Sequence, residues 1–201
     1  MNVLLINGSA KEKGCTFTAL SEVARGLNES GVETEILSLG TKPVADCMGC
    51  GKCRETGSCV FGDIVNEIVE KAKTADGFVF GSPVYYAHAS GRLLSVLDRA
   101  FYSGGKEFAF KPGAAVVSAR RGGTTASLEV INKHFSINQM PIVTSNYWNM
   151  VHGNTPDEVR QDKEGMRTMY NLGRNMAWMI KCIQAGPEHP QNEKESTNFI
   201  R

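Results

Sequence analysis

The chain has no apolar run approaching the ~20 residues needed to cross a bilayer, so no segment reads as a membrane span. It also lacks an excess of either charge. Against 22 Lys and Arg stand 21 Asp and Glu, a net charge of +1, and neither half of the chain hides a basic face. A nucleic-acid binder working by counterion release would show such a face, so that class is set aside. Histidine is scarce, four in 201 residues. His88 and His152 have no partner at a defined spacing and receive no role. The opening MNVLLINGS carries no basic stretch and turns at Gly8-Ser9, too early for a signal-peptide core. The expected location is therefore cytoplasmic, where thiols stay reduced. Linkers, repeats and low-complexity stretches are missing up to a polar tail. The expectation is one domain over residues 1–185 and a tail over 186–201 whose Phe199–Ile200 tip could dock.

What is present is ordinary globular composition, 41% hydrophobic and 21% charged, with a regular alternation of two periods. Asn2–Asn7, Val32–Leu39, Gly77–Gly81, Gly113–Ala119 and Pro141–Tyr147 read as strands. Thr16–Glu29, Asp63–Ala75, Gly91–Tyr102 and Thr124–Ser136 carry apolar residues at helical spacing, as does a Met-rich segment from near Pro156 to Ile183 capped by Thr155. Five βα units in strict alternation predict an α/β fold: a five-stranded parallel sheet with helices on both faces. Such sheets wind in a Rossmann half or in the flavodoxin order 2-1-3-4-5, with ligands at the carboxyl ends of the strands.

The loop after the first strand, Asn7-Gly-Ser-Ala-Lys-Glu-Lys-Gly-Cys-Thr-Phe-Thr, enters a helix. Backbone N–H groups at a helix N-terminus form an anion site, here with hydroxyls and Lys11 beside them. It has no G-x-G-x-x-G, Gly14 is not followed by Lys, and the position six residues after Cys15 holds Ser21 rather than Arg. A dinucleotide fingerprint, a Walker loop and a Cys-based phosphatase loop are thereby excluded. A static terminal phosphate such as that of FMN fits; a plain βα turn with capping hydroxyls is the alternative. After the third strand comes Gly81-Ser-Pro-Val-Tyr-Tyr, an apolar aromatic wall suited to a flat ring. After the fourth comes Ser118-Ala-Arg-Arg-Gly-Gly-Thr, where Arg120 or Arg121 could face a ring's electron-accepting edge.

Together these loops resemble the NADPH-dependent FMN reductase family of flavodoxin-like proteins, over roughly residues 1–185. The resemblance implies FMN, with its phosphate at Ser9, Lys11, Cys15, Thr16, Phe17 and Thr18. It implies Pro83, Val84, Tyr85, Tyr86, Ser118, Arg120, Arg121, Gly122, Gly123 and Thr124 around the isoalloxazine, with NAD(P)H as co-substrate. Cys15 stands where an Asn is often found, which removes a side-chain amide from the phosphate.

Between the second strand and its helix lies Cys47-Met-Gly-Cys-Gly-Lys-Cys-Arg-Glu-Thr-Gly-Ser-Cys59, spaced C-x2-C-x2-C-x5-C. Zinc sites usually pair two separated knuckles with about a dozen or more residues between them. Cysteines at x2 spacing are how ferredoxin-type chains wrap a [4Fe–4S] cube. Redox-active thiols and zinc remain the alternatives. The same spacing resembles the iron–sulfur flavoproteins, which implies Cys47, Cys50, Cys53 and Cys59 as cluster ligands. It further implies a homodimer or homotetramer in which the cluster approaches a neighbour's FMN. The Met-rich helix reads either as part of that interface or as a core stripe.

Three activities are consistent with these residues. One is a reductase passing hydride to a small acceptor such as a quinone, nitroaromatic or flavin. The second is an electron carrier with a ferredoxin-like redox partner. The third is a non-catalytic thiol or metal sensor. No side chain is needed as acid or base in the flavin readings, because the reaction belongs to the cofactor.

Overall fold

The computed structural model describes residues 1–193, 195–197 and 199. In chain order the elements are β1 (Asn2–Asn7), α1 (Cys15–Glu29), β2 (Glu33–Ser38), α2 (Cys53–Thr56), α3 (Ile64–Ala72), β3 (Gly77–Tyr85) and β4 (His88–Ala89). There follow α4 (Gly91–Phe108), β5 (Gly113–Ala119), α5 (Thr124–Ile137), β6 (Met150–His152), α6 (Pro156–Gln161) and α7 (Lys163–Ala185).

The parallel sheet runs β2-β1-β3-β5-β6. Counting only parallel strands, this is the expected flavodoxin order. Successive residues of β1 feed opposite layers, as a strand buried on both faces must. Leu4 and Ile6 join one core with Phe78, Phe80, Leu97 and Phe135. Val3 and Leu5 join the other with Leu20, Val23, Val116 and Met176.

Three expectations are corrected. The third strand continues past Gly81 to Tyr85 and folds back into a short antiparallel arm, Val84 facing Ala89 and Tyr85 facing His88. The fifth strand is not continuous over Pro141–Tyr147. Residues 141–143 exchange two backbone bonds with Gly113, and the chain then leaves the sheet. Pairing resumes only at Met150–His152, against Val117–Ala119. Polar Ser145 and Asn146 and the exposed rings of Tyr147 and Trp148 account for the excursion, which Asn149 closes by donating to the Val143 carbonyl at 3.4 Å. The last helical segment is broken at Asp162, whose carboxylate caps α7 by accepting from the Gly165 N–H at 2.9 Å. Of the two readings of the Met-rich helix, the core stripe holds for Met169 and Met176, which are fully buried, while Met166 and Met179 are half-buried. Thr155 caps α6 ahead of Pro156, as its position suggested.

Among the described residues no helix is long and apolar enough to cross a membrane. Beyond α7 the described tail forms no helix or strand; His189 stacks on Phe110 with ring centroids 3.7 Å apart. Phe199 is exposed, and Ile200, the other half of the expected docking tip, lies outside the described residues.

Candidate functional site

The carboxyl ends of β1, β3 and β5 form one rim, with β1 and β3 in register at Asn7 and Gly81 and β3 and β5 at Pro83 and Ser118. The loop after β1 is built from its own polar groups. The Asn7 carboxamide accepts from the Ser9 N–H at 3.1 Å and donates to the Glu12 carbonyl, while the Ser9 hydroxyl accepts from the Lys11 N–H at 3.1 Å. The loop ends at Gly14, and α1 begins without a side-chain cap and without an acidic residue in its first turn. An uncapped helix start leaves N–H donors pointing out of the first turn, where they favour an anion.

The expected phosphate residues do not all present themselves alike. Ser9 is buried within the loop, and Lys11 is exposed beside it. Thr18 turns its hydroxyl back to the Gly14 carbonyl at 3.1 Å. Thr16 lies 2.8 Å from the Ser118 hydroxyl, both buried, so this pair ties the start of α1 to the end of β5. Phe17 is half-buried on α1. Cys15 sits half-buried with its thiol 3.7 Å from the Gly153 carbonyl. Burial pushes that thiol above its ordinary range, against the pull of its own backbone N–H and of Lys11. It is a protonated packing group, not an activated nucleophile.

Opposite this loop stands the β3–β4 arm. Tyr85 and Tyr86 are exposed, and the Tyr85 hydroxyl accepts from the Ala10 N–H at 3.4 Å, so the arm touches the phosphate loop. Tyr86 has φ +59° and is the centre of a three-residue turn closed by the Ala87 N–H donating to the Tyr85 carbonyl at 2.8 Å. This turn is rare and strained, the more so with a bulky side chain. The third wall is the loop after β5. Arg120, Arg121 and Gly122 are exposed, whereas Thr124 is buried. Gly123 has φ +86°, and a Cβ there would come within 2.8 Å of Val84 and 3.0 Å of the Ala87 carbonyl. The glycine thus lets the arginine loop close onto the tyrosine arm. Ser82 supports the arm from below, accepting from the Ser90 N–H at 2.9 Å where α4 begins.

The four loop cysteines lie at the neighbouring edge, after β2. All four line one small cavity of about 30 Å³, together with Phe61, Arg99 and Tyr102. Cys47 and Cys50 are exposed, Cys53 and Cys59 half-buried, and none is in a disulfide. Gly49, Gly51 and Gly57 all take the left-handed backbone that tight turns around such a cavity need. Their thiols are not drawn together tightly: among the described residues no three His, Cys, Asp or Glu side chains already sit at metal-ligating separation. The donor set and its convergence on one cavity fit a thiolate-bound metal group, with closure of the loop left to the metal.

Sequence reasoning missed two features. A cleft of about 520 Å³ runs between α5 and the 142–149 excursion, lined by Thr125, Tyr147 and Trp148; the strand reading of that segment hid it. The other is Arg99, buried in the middle of α4. Its signal was present: a lone cation between Leu97 and Ala100 on an apolar helical stripe.

A flavodoxin-like α/β sheet with an uncapped phosphate-type helix start and an aromatic arm defines a flavin-dependent oxidoreductase class. Comparison with known proteins agrees. The sequence profile of the NADPH-dependent FMN reductases matches residues 1–155. An iron–sulfur flavoprotein of Methanocaldococcus jannaschii is 35% identical over 192 residues, covering 92% of this chain and 100% of the relative. One from Methanosarcina thermophila is 31% identical over 191 residues, 92% of this chain and 97% of the relative. Among solved structures, a flavodoxin from the domain Archaea superposes with a TM-score of 0.61 at 14% identity, over 90% of this chain and 99% of that one, which speaks to the fold alone. The chain belongs to the NADPH-dependent FMN reductase family, alongside the iron–sulfur flavoproteins.

Proposed function

We propose that this protein holds FMN at the rim between β1, β3 and β5, takes reducing equivalents from NAD(P)H or a reduced carrier, and passes electrons through a cluster on Cys47, Cys50, Cys53 and Cys59 to a redox protein. The observation that carries this reading is the four cysteines lining one cavity on the strand edge beside the flavin rim. The naming of full-length relatives as iron–sulfur flavoproteins supports it.

The chain's own residues bind and orient. The first turn of α1, with Ser9 and Lys11, receives the phosphate. Tyr85 and Tyr86 wall the ring on one side, and Gly123 brings the Arg120–Arg121 loop to the other. Either arginine would supply a cation to the ring's electron-accepting edge, which would favour the reduced, anionic form. Helix α4 joins the two centres, since it starts at the tyrosine arm and carries Arg99 against the cysteine cavity about 12 Å further along its axis. Bound in these places, FMN supplies hydride acceptance and one-electron release, and a [4Fe–4S] cluster supplies a one-electron relay.

Met48 and Tyr102, 61% and 68% exposed, flank the cavity and offer an apolar face to a second copy in a homodimer or homotetramer. Six free cysteines suit a reducing compartment, which supports a cytoplasmic location. On this reading residues 1–185 are the flavin-binding domain and the polar segment from 186 is a tail.

The test is the visible spectrum of anaerobically purified protein with FMN, iron and acid-labile sulfide counted per chain, followed by anaerobic mixing with NADPH and NADH. One FMN with four irons and four sulfides supports the electron-carrier reading. One FMN without iron, bleached rapidly by a nicotinamide, supports the second reading, a reductase acting on a small acceptor. The spread of the four thiols is the observation that favours this second reading. Protein without FMN would remove both and leave a thiol sensor.

A further inference from the structure

Arg99 is the largest fully buried side chain among the described residues, at 1% exposure. A buried cation must be paired and hydrogen-bonded or it is strongly destabilising, and the way this one is paired is specific. Its two terminal nitrogens grip Asp63 as a fork, Nη1 to Oδ2 at 2.9 Å and Nη2 to Oδ1 at 2.7 Å. Nη1 also donates to the Ala45 carbonyl at 3.1 Å. The guanidinium carbon lies 4.5 Å from the Phe61 ring centroid. The remaining donor, Nε, points at the Cys59 sulfur, 3.2 Å away.

These partners bracket the cysteine loop. Ala45 precedes Cys47 by two residues, while Phe61 and Asp63 follow Cys59. The loop's own residues are mostly exposed, so one rigid side chain on α4 holds both of its ends. Guanidinium is planar with donors in a fixed fork. Once Asp63 takes two of them, the direction of the Nε–H is set, and Cys59 lies on it. Among the described residues, Cys59 is the one loop cysteine whose sulfur receives a side-chain hydrogen bond.

From this geometry, resting on the cluster reading above, we infer that Arg99 is a positioning residue of the cysteine site. It fixes Cys59 as the anchored ligand and, through its Nε–H to the sulfur, raises the reduction potential of the bound cluster. Hydrogen bonds to ligating sulfur and nearby positive charge withdraw electron density from an iron–sulfur centre and favour its reduced state. Helix α4 carries Arg99 to the centre from the flavin side, so the residue shifts that centre toward accepting an electron.

Wild type, Arg99→Lys and Arg99→Met are reconstituted anaerobically with iron and sulfide. FMN content reports the fold, iron and sulfide content report loading, and a potential titration followed by electron paramagnetic resonance reports the cluster. Hydrogen exchange over residues 40–62 is measured on the metal-free proteins. Both variants are expected to keep stoichiometric FMN and to exchange at least tenfold faster over 40–62. Arg99→Lys, which keeps the charge without the directed Nε–H, is expected to keep its iron with a cluster potential shifted negative, and Arg99→Met to shift further or lose iron. An unchanged potential in a fully loaded Arg99→Lys would overturn the tuning, and so would loss of iron from that variant, which would make the residue a structural pin alone. Wild-type protein that binds no iron brings down the cluster reading itself and the tuning with it, an outcome recognisable because it appears without any substitution.

Discussion

The flavin rim and the cysteine loop sit on the same sheet edge and are built on opposite plans. The rim is held from inside: strand ends in register, the buried Thr16–Ser118 hydroxyl pair, Ser82 beneath the arm and Gly123 against Val84. These contacts form without any ligand. The loop is held from outside, by one buried arginine at its two ends and by Asn66, whose carboxamide accepts from the Cys59 N–H and donates to the Cys59 carbonyl, both at 2.9 Å, with its turns open to water. A rim tied together by its own hydrogen bonds suits a cofactor that stays bound while substrates visit, because less ordering entropy is lost on binding. A loop with spread thiols suits a group whose coordination bonds complete the fold locally.

The sharpest break in this comparison concerns stability. Phe80 is fully buried, packing on Phe101 and Phe135 with centroids 6.2 and 5.6 Å away. Phe80→Ala should cost about 3–5 kcal/mol in urea unfolding. In the metal-free protein, Met48→Ala on the exposed loop should stay within about 0.5 kcal/mol of wild type. Equal losses would mean that the loop is part of the core and the contrast is false.

A second break is confined to the rim. Gly123→Val forces a branched side chain into a left-handed position and against Val84 and the Ala87 carbonyl. It should push the arginine loop off the arm and weaken FMN binding at least tenfold, about 1.4 kcal/mol, as read by quenching of flavin fluorescence. Iron uptake by the cysteine loop should not change. Loss of iron and FMN together would show the two sites to be one folding unit.

Much of this contrast is legible in residue order alone. The strand cores and the three rim loops follow from β-branched runs and the glycines that interrupt them, whereas the order of winding stays open between two patterns until the family resemblance points to one. What escaped has a common cause: it depends on contacts distant in sequence. The β3–β4 arm turns at Tyr86, a residue with no turn propensity, and holds because Ser82 and the phosphate loop support it. The fifth strand reads as continuous from Pro141 to Tyr147, yet the partner strand β5 pairs first at Gly113 and next at Val117. Asp63 reads as the start of a helix and does cap α3, accepting from the Val65 N–H at 3.2 Å. Nothing local shows that its carboxylate also closes on an arginine 36 positions away.

The strained turn gives a smaller effect with a distinctive sign. Tyr86 pays in backbone strain for a fully exposed ring, a combination that persists where function needs it. Tyr86→Gly should stabilise the FMN-free protein by about 1 kcal/mol and weaken FMN binding, since the glycine relieves the left-handed φ and removes a wall of the ring site. Differential scanning calorimetry with and without FMN separates the two. A destabilised FMN-free variant would mean that the ring packs on the protein and is not held out for a ligand.

The smallest effect tests the loop's arginine anchor by pH. Burial pushes the Asp63 carboxyl up, but hydrogen bonds from Arg99 and the Val65 N–H more than offset this, and it ends below the ordinary carboxylate range. A carboxylate with a depressed folded-state pKa contributes stability that is fully present above its unfolded value, about 4, and is lost as pH falls through the depressed one. Arg99 stays charged throughout, so protonation of Asp63 leaves a buried cation without its counter-charge. In metal-free protein, hydrogen exchange over residues 40–62, corrected for the intrinsic pH dependence of exchange, should stay constant from neutral pH down to about 4. It should then accelerate before the sheet amides of β1 and β3 do. Asp63→Asn should show the faster exchange already at neutral pH. If loop and sheet instead open together in acid, the loop belongs to the same cooperative unit as the rim, and the difference in their construction carries no difference in stability.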